Sequence, residues 1–525
     1  MKFLISIFIA CFPLMILGQN NVPSINILSI SNDETAEELT INYEFNDLDG
    51  DSCEVWLKSS SDGGIYYELV DLALLTGDFG EGLLSSNQLS VVWDYSSITS
   101  EIINQQIQLY VSDNKVIDIA ELVNLVEEIE LRNSLDMIEG ERHYIAAPEH
   151  LEVVKSYINE RFTDADLQTE NHEFMFNNSA MQNVLGRKQG AKNEAITYLI
   201  DGHFDGVPGS PAADDNGSAV AGMLEALRIL SQYSFEHSIR FIGFDAEELG
   251  LIGSQRYVQN GIKAFEDIQG VLNFEMIGYY SDEPNSQTLP NGFDFLFPAA
   301  TQQVADNQYR GDFISVIGNA PSSSLLEAFA LASETYVPEL SVLTIPVPGD
   351  GSIAPDLRRS DHASFWDGGM KALMLTDGAE FRNLNYHTPA DSVGTLNFNF
   401  IKNVVKAAVA TVAELAVPIS ASHAEANLSD VLSIEDHHQS FPASFSVYPN
   451  PSNGRISLEI NNENSSFKSR VEVFNIRGEQ VFRKVLNIPS GKSTSTFDFT
   501  ELPSGSYIIN LNSGAASKTG SFVIQ

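Results

Sequence analysis

Imidazoles and carboxylates cluster at a few points of the chain, most of them just beyond an apolar run. His203 follows the run Ile196 to Ile200 in Asp201-Gly202-His203-Phe204-Asp205, and Asp205 is placed to orient its ring through the second nitrogen. Twelve residues on comes Asp214-Asp215-Asn216-Gly217-Ser218, where two adjacent carboxylates at a tight turn repel unless a cation or N–H donors neutralise them. The run Ile239 to Phe244 ends in Asp245-Ala246-Glu247-Glu248, and the run Val271 to Phe274 ends in Glu275. His387 adds a second imidazole in Asn385-Tyr386-His387-Thr388-Pro389-Ala390-Asp391-Ser392. Two histidines with three or four carboxylates suit two divalent ions. With only two cysteines in 525 residues, neither a cysteine-based zinc site nor a disulfide framework is available.

Those residues need a frame that brings separate stretches to one place. Between about Val116 and Val417, buried-type runs (Ile196 to Ile200, Ile239 to Phe244, Val271 to Phe274, Ala372 to Leu375) interleave with helical spacing such as Val220, Met223, Leu224, Leu227 and Leu230. That alternation predicts an α/β fold with a mostly parallel, doubly wound sheet covered on both faces. In such folds the ligand crevice lies at the carboxyl ends of the strands, where the clusters above fall.

The flanks read as β. From Val22 to Asn114, short runs such as Leu39 to Tyr43, Glu54 to Leu57 and Gln106 to Val111 are separated by turns such as Ser61-Asp62-Gly63-Gly64, which suits a small sandwich. Asp47, Asp49 and Asp51 crowd one of its loops, either as a calcium site or as a solvated acidic turn. Residues 419–442 have no clear period and read as a linker. Beyond them, alternation at Val471/Val473 and Tyr507/Ile509/Leu511 predicts a second all-β module. The expected organisation is a signal peptide over 1–18, a β-sandwich over 19–116, an α/β domain over 117–418, a linker over 419–442 and a β-module over 443–525.

Composition narrows the partners. The net charge of −42 disfavours nucleic acid and anionic membranes. Lys2, the apolar run Phe3 to Leu17 and the small Gly18 have the pattern of a cleaved signal peptide, and no later run is long enough for a transmembrane segment. Cys53 is then the one cysteine of the mature chain. Residues 443–525 hold 6 acids and 8 bases, a step in composition that marks a boundary near 443.

The ordered set His203-Phe204-Asp205, Ala213-Asp214-Asp215-Asn216-Gly217-Ser218-Ala219, Asp245-Ala246-Glu247-Glu248-Leu249-Gly250, Asn273-Phe274-Glu275-Met276-Ile277-Gly278 and Tyr386-His387 resembles metallopeptidase family 28, the secreted dinuclear zinc aminopeptidases of the bacterial leucyl type. The resemblance implies a zinc exopeptidase fold and two zincs per chain. His203 and Glu248 would bind separate zincs, Asp215 would bridge them, and Glu275 and His387 would complete the shells. Glu247 would be the general base, Tyr386 a donor to the developing oxyanion, and the Asp215-Asn216 peptide cis. The family commonly has Asp where this chain has Glu275, one methylene longer. Ser360-Asp361-His362 also resembles a family motif, with Asp361 behind the ligands. Arg358 and Arg359 are candidates either for a substrate carboxylate or for surface ion pairs.

The N-terminal sandwich resembles the fibronectin type III-like or immunoglobulin-like modules of secreted bacterial enzymes. Phe445 to Gly454, Val471 to Asn475 and Leu502 to Ile509 resemble the C-terminal sorting domain of type IX secretion, which implies contact with the outer-membrane export machinery and a secreted or cell-surface location. The expected function is hydrolysis of N-terminal residues from peptides. A single-zinc glutaminyl cyclase and an inactive adhesin are the alternatives, and the intact His203, Asp215, Glu247 and Glu248 speak against both.

Overall fold

A computed structural model of the chain describes residues 20–98, 102–435, 443–462, 464–475, 480–500, 502–513 and 516–525. The expected signal peptide, with Cys11, lies outside the described residues. Among the described residues no helix is long and apolar enough to cross a membrane.

The central sheet has eight strands, and the arrangement of its middle explains why distant residues meet. Asn193–His203 runs parallel to His237–Phe244 on one side and to Asp267–Phe274 on the other, and Ala372–Thr376 follows, again parallel. In that register His203 lies opposite Phe244, Asp201 opposite Asn273, and Phe274 opposite Leu375. The residues just past each strand therefore emerge along one edge. Antiparallel strands close one flank at Gln168–Phe176 and Ser179–Lys188. On the other flank Phe313–Asn319 runs antiparallel to Ala372–Thr376 and carries Ser341–Val347. These four strands escaped the sequence reading, because several alternate with polar residues in stretches that carry no chemistry.

Both faces of the sheet are covered. Helices Ala219–Leu230 and Phe398–Ala416 bury Val220, Leu224, Leu227, Val405 and Val409 against one face. Tyr257, Phe293, Phe365 and Trp366 fill the other. At about 25 cal/mol per Å² of apolar surface, this burial is the main force holding the strand ends in place. Gly202 lets the helix come close behind His203, since a Cβ there would lie 2.8 Å from Ala219 Cβ.

The N-terminal strands form two sheets, one of them containing Cys53–Ser60 and Gln106–Ser112. The stretch expected to be a linker departs from expectation here. Ala421–Asn427 adds a strand to that sheet beside Gln106–Ser112, and Leu428–Glu435 is a helix. Its sequence, Ala421-Ser422-His423-Ala424-Glu425, lacks the β-branched residues by which strands are recognised, so pairing with an existing sheet decides its conformation. The acidic loop is held by protein donors. Asp49 accepts from Asn21 N and Nδ2, and Asp47 Oδ2 accepts from Asp51 N. Among the described residues these aspartates form no metal-ligating group.

This sheet is fastened to the α/β domain by a buried charge. Lys58 and Glu194 are fully buried, with Nζ 2.9 Å from Oε2, and Nζ also donates to Gly190 O. Arg187 Nη1 holds the other Glu194 oxygen at 2.8 Å, and Trp56 Nε1 donates to Ala191 O. Removing one partner of a buried pair costs about 3–5 kcal/mol, because the other is left desolvated and under-compensated. Lys58→Met is expected to lose about 3 kcal/mol of unfolding free energy, near the low end because Arg187 remains. Urea denaturation measures this, and an unchanged midpoint would show that the seam carries no stability. The described residues of 443–525 form, by themselves, a sandwich of a three-stranded and a four-stranded sheet around Ile456, Leu458, Val471, Val473, Ile509 and Phe522.

Candidate metal centre

The candidate ligands come from five chain segments and meet around Asp215. His203 ends its strand, and Glu247 and Glu248 follow the strand ending at Phe244. Glu275 follows Phe274, His387 sits in a loop, and Asp215 lies in an irregular turn, Ala213–Ser218, that leads into the helix Ala219–Leu230. Three non-glycine residues here have left-handed backbone: Ala212 (φ 54°), Ala246 (φ 60°) and His387 (φ 57°). Such strain persists only where surrounding contacts enforce it, and it gathers at working sites. The Asp215-Asn216 peptide is cis.

The two oxygens of Asp215 face different partners. Oδ1 lies 3.4 Å from His203 Nε2, which is itself 3.4 Å from Glu275 Oε2. Oδ2 lies 2.9 Å from His387 Nε2, which is 3.3 Å from Glu248 Oε2. Two three-residue sets therefore share one carboxylate. The longer Glu275 still reaches its set, steadied by Ser360 Oγ at 2.8 Å and Asn216 Nδ2 at 3.2 Å. Glu247 Oε2 stands 3.7 Å from His203 Nε2.

Surrounding groups hold these side chains in place. The His203 Nδ1 side faces Asp205, 3.2 Å from its carbonyl and 3.3 Å from Oδ1. Asp205 also accepts from Glu247 N and Glu248 N, so one carboxylate ties the first histidine to the Glu-Glu turn. Asp391 accepts from the amides of Asp214 and Asp215. Asp214 accepts from Gly278 N and Asn383 Nδ2, which resolves the repulsion of the adjacent pair with donors. Asp391 and Asn383 were not singled out in the sequence, since each reads there as an ordinary loop polar residue. Asp361 is buried near the cluster without a hydrogen bond to either oxygen, and burial pushes its carboxyl up to about 7. His362 is a buried neutral imidazole between Leu357 O and Asn273 Oδ1, held down to about 3 by burial.

The electrostatics show what the cluster lacks. Burial, then Asp215, pushes Glu248 up to about 7. Glu247 rises well above the carboxylate range for the same first reason, with His203 opposing. Burial would lower His387, but hydrogen bonds to Asp215 and Glu248 lift it to about 10. Burial would likewise raise Asp215, yet the two histidines hold it below its usual value. His203 Nε2 and Glu248 Oε1 are buried and have no hydrogen-bond partner. Lone-pair donors converging within a few ångströms, short of hydrogen bonds and of positive charge, fit a divalent cation of the borderline kind that takes imidazole and carboxylate. His203 joins Asp215 and Glu248 in one metal-ligating group and Glu247 and Glu275 in another.

Beside the cluster opens a cavity that reaches solvent. Leu289, Phe293, Phe313, Ile317, Leu343 and Met374 give it apolar walls, and Glu275, Arg359 and Tyr386 line it too. Tyr386 is stacked on His387, and its hydroxyl lies 3.4 Å from Arg359 Nη2. Arg359 also pairs with Glu380. Arg358 instead pairs with Asp367 and lies over Trp366, a surface ion pair.

Comparison with known proteins adds the family. Residues 183–315 match the model of peptidase family M28, a stretch that contains His203, Asp215, Glu247, Glu248 and Glu275. The chain carries a peptidase family M28 domain. His387 and Tyr386 lie beyond the matched stretch of the M28 domain and join it through the fold. Residues 446–525 match the secretion system C-terminal sorting domain, which marks the chain for export by type IX secretion.

The uncharacterized protein YfbL of Escherichia coli is 29% identical over 262 residues, 47% of this chain and 76% of that one. Aminopeptidase YwaD of Bacillus subtilis is 42% identical over 122 residues, 23% of this chain and 26% of that one. The probable leucine aminopeptidase 2 of Aspergillus oryzae is 27% identical over 238 residues, 42% of each chain. The chain thus spans less than half the length of these two aminopeptidases. The solved LapA aminopeptidase of Legionella pneumophila aligns at 20% identity over 58% of this chain and 76% of that one, with a TM-score of 0.44.

Proposed function

We propose that this protein is an exported aminopeptidase that holds two zinc ions and removes N-terminal residues from peptides. The observation that carries the reading is the division of Asp215, one oxygen toward His203 and Glu275 and the other toward His387 and Glu248. A single-ion acyltransferase has no use for two complete sets. The M28 domain and its aminopeptidase relatives supply the reaction class.

Zinc, when bound, supplies Lewis acidity to the scissile carbonyl and lowers the pKa of water. The chain's own residues do the rest. The Glu247 carboxylate accepts a proton from the attacking water as its oxygen bonds to the carbonyl carbon, then delivers that proton to the amine as the C–N bond breaks. The Tyr386 hydroxyl donates to the carbonyl oxygen as it gains charge, with Arg359 fixing the phenol. The cavity receives the first side chain, and Glu275 at its edge attracts the free ammonium.

A panel of peptides tests the reading. Free-amine peptides starting with Leu, Met or Phe are expected to be cut at least about tenfold faster in kcat/KM than those starting with Ala, the return for placing a few more carbons on apolar walls. N-acetylated peptides are expected to be inert. Equal cutting of blocked peptides, or cyclisation of N-terminal Gln without hydrolysis, would refute the aminopeptidase reading.

A further inference from the structure

Arg142 is among the largest fully buried side chains, yet among the described residues it makes no ion pair within 4.0 Å. Its guanidinium is spent on backbone carbonyls. Nε donates to Phe204 O at 2.7 Å, and Nη2 to Ala212 O at 2.8 Å. Nη1 donates to Ile138 O at 2.7 Å, Gly140 O at 3.0 Å and Pro211 O at 3.2 Å. Its own carbonyl accepts from Gly206 N, and Gly140 N donates to Pro211 O.

The positions of these acceptors are informative. Residues 204–212 are the loop between His203 and Asp215. Phe204 is the residue after His203, and Ala212, in its left-handed conformation, begins the turn that delivers Asp215. One planar fork therefore grips both ends of that loop and fastens it to the segment 138–140. A buried guanidinium is costly to desolvate, and burial lowers its pKa to about 10 even with Asp205, Asp215, Asp391 and Glu248 nearby. Hydrophobic packing would fill the same space without that cost. The five donors in fixed geometry are what a hydrophobic side chain lacks.

We infer that Arg142 is a positioning residue for the metal centre: by clamping Phe204 O and Ala212 O it sets the span between His203 and Asp215, and with it the affinity of the His203–Asp215–Glu275 set for zinc. The inference rests on the two-ion reading above. Glu248 and His387 hang on other segments and meet the clamped span only through Asp205 and the shared Asp215, so the second set loses less when the clamp is removed.

Arg142→Lys keeps the charge but offers three donors without the planar fork. Competition with a chromogenic chelator in the full mature chain is expected to give two zincs for the unaltered protein. For Arg142→Lys it is expected to give one zinc bound about 10–100-fold more weakly, the usual loss when an outer partner of a ligand goes, and the other bound little changed. The visible spectrum of the cobalt-substituted variant should change at one site only. Melting with and without zinc runs in parallel, and the zinc-induced rise should shrink while the metal-free melting temperature falls less. Two zincs bound with unaltered affinity by the folded variant would overturn the inference. So would equal weakening of both, or a variant that stays unfolded with zinc in excess, since Arg142 would then serve the fold alone. An unaltered protein that binds fewer than two zincs overturns the two-ion reading instead.

Discussion

Glu247→Gln is expected to lower turnover by about 10²–10⁴-fold while the protein keeps its zinc, the range a positioned general base supplies. The substitution preserves length and volume and removes only the ability to take a proton. Two arrangements of Glu247 compete, because it stands 3.7 Å from His203 Nε2 and joins a metal-ligating group with His203 and Glu275. Were it a ligand, Gln would weaken metal binding and excess zinc would restore activity. Were it the base, zinc content would hold and added zinc would restore nothing. The second outcome is expected, since Glu275 already completes the set with His203 and Asp215. Zinc content and kcat measured on one preparation decide between them.

Asp215→Asn is expected to have the larger effect on metal. Asp215 is common to both sets, so under the two-zinc proposal the change removes a shared negative charge and leaves one neutral oxygen where two carboxylate oxygens served. Both zinc affinities should fall by more than the 10–100-fold that losing an outer hydrogen bond costs, and activity at ordinary zinc concentrations should be lost. His203→Ala, by comparison, should empty one site and spare the other. Loss of one zinc only in Asp215→Asn would mean the carboxylate serves a single ion. The fold should survive the change, because the amides of Asp214 and Asp215 remain bonded to Asp391.

The α/β fold and most of the candidate ligands were legible because they follow directly on apolar strands. His203, Glu247, Glu248 and Glu275 each stand one to four residues past such a run, and parallel register does the rest. What was not legible depends on contacts between segments far apart in the chain. Lys58, in a strand of mixed residues, reads as a solvated cation, and only Glu194, more than a hundred residues on, makes it a buried one. Arg142 reads as one more loop charge, since its five acceptors are backbone carbonyls with no sequence signature. The strand Ala421–Asn427 has no propensity of its own and exists because the sheet accepts another strand. The cavity's apolar walls come from several strands and loops, so a preference for large apolar N-terminal residues became arguable only with all of them placed.

The central claim is two zincs held around one shared carboxylate. Stepwise return of zinc to the chelator-stripped full chain, with bound metal and hydrolysis of leucine p-nitroanilide followed together, tests it most directly. The account predicts saturation at two zincs per chain, with activity incomplete until the second is bound. Full activity and saturation at one zinc per chain would contradict it.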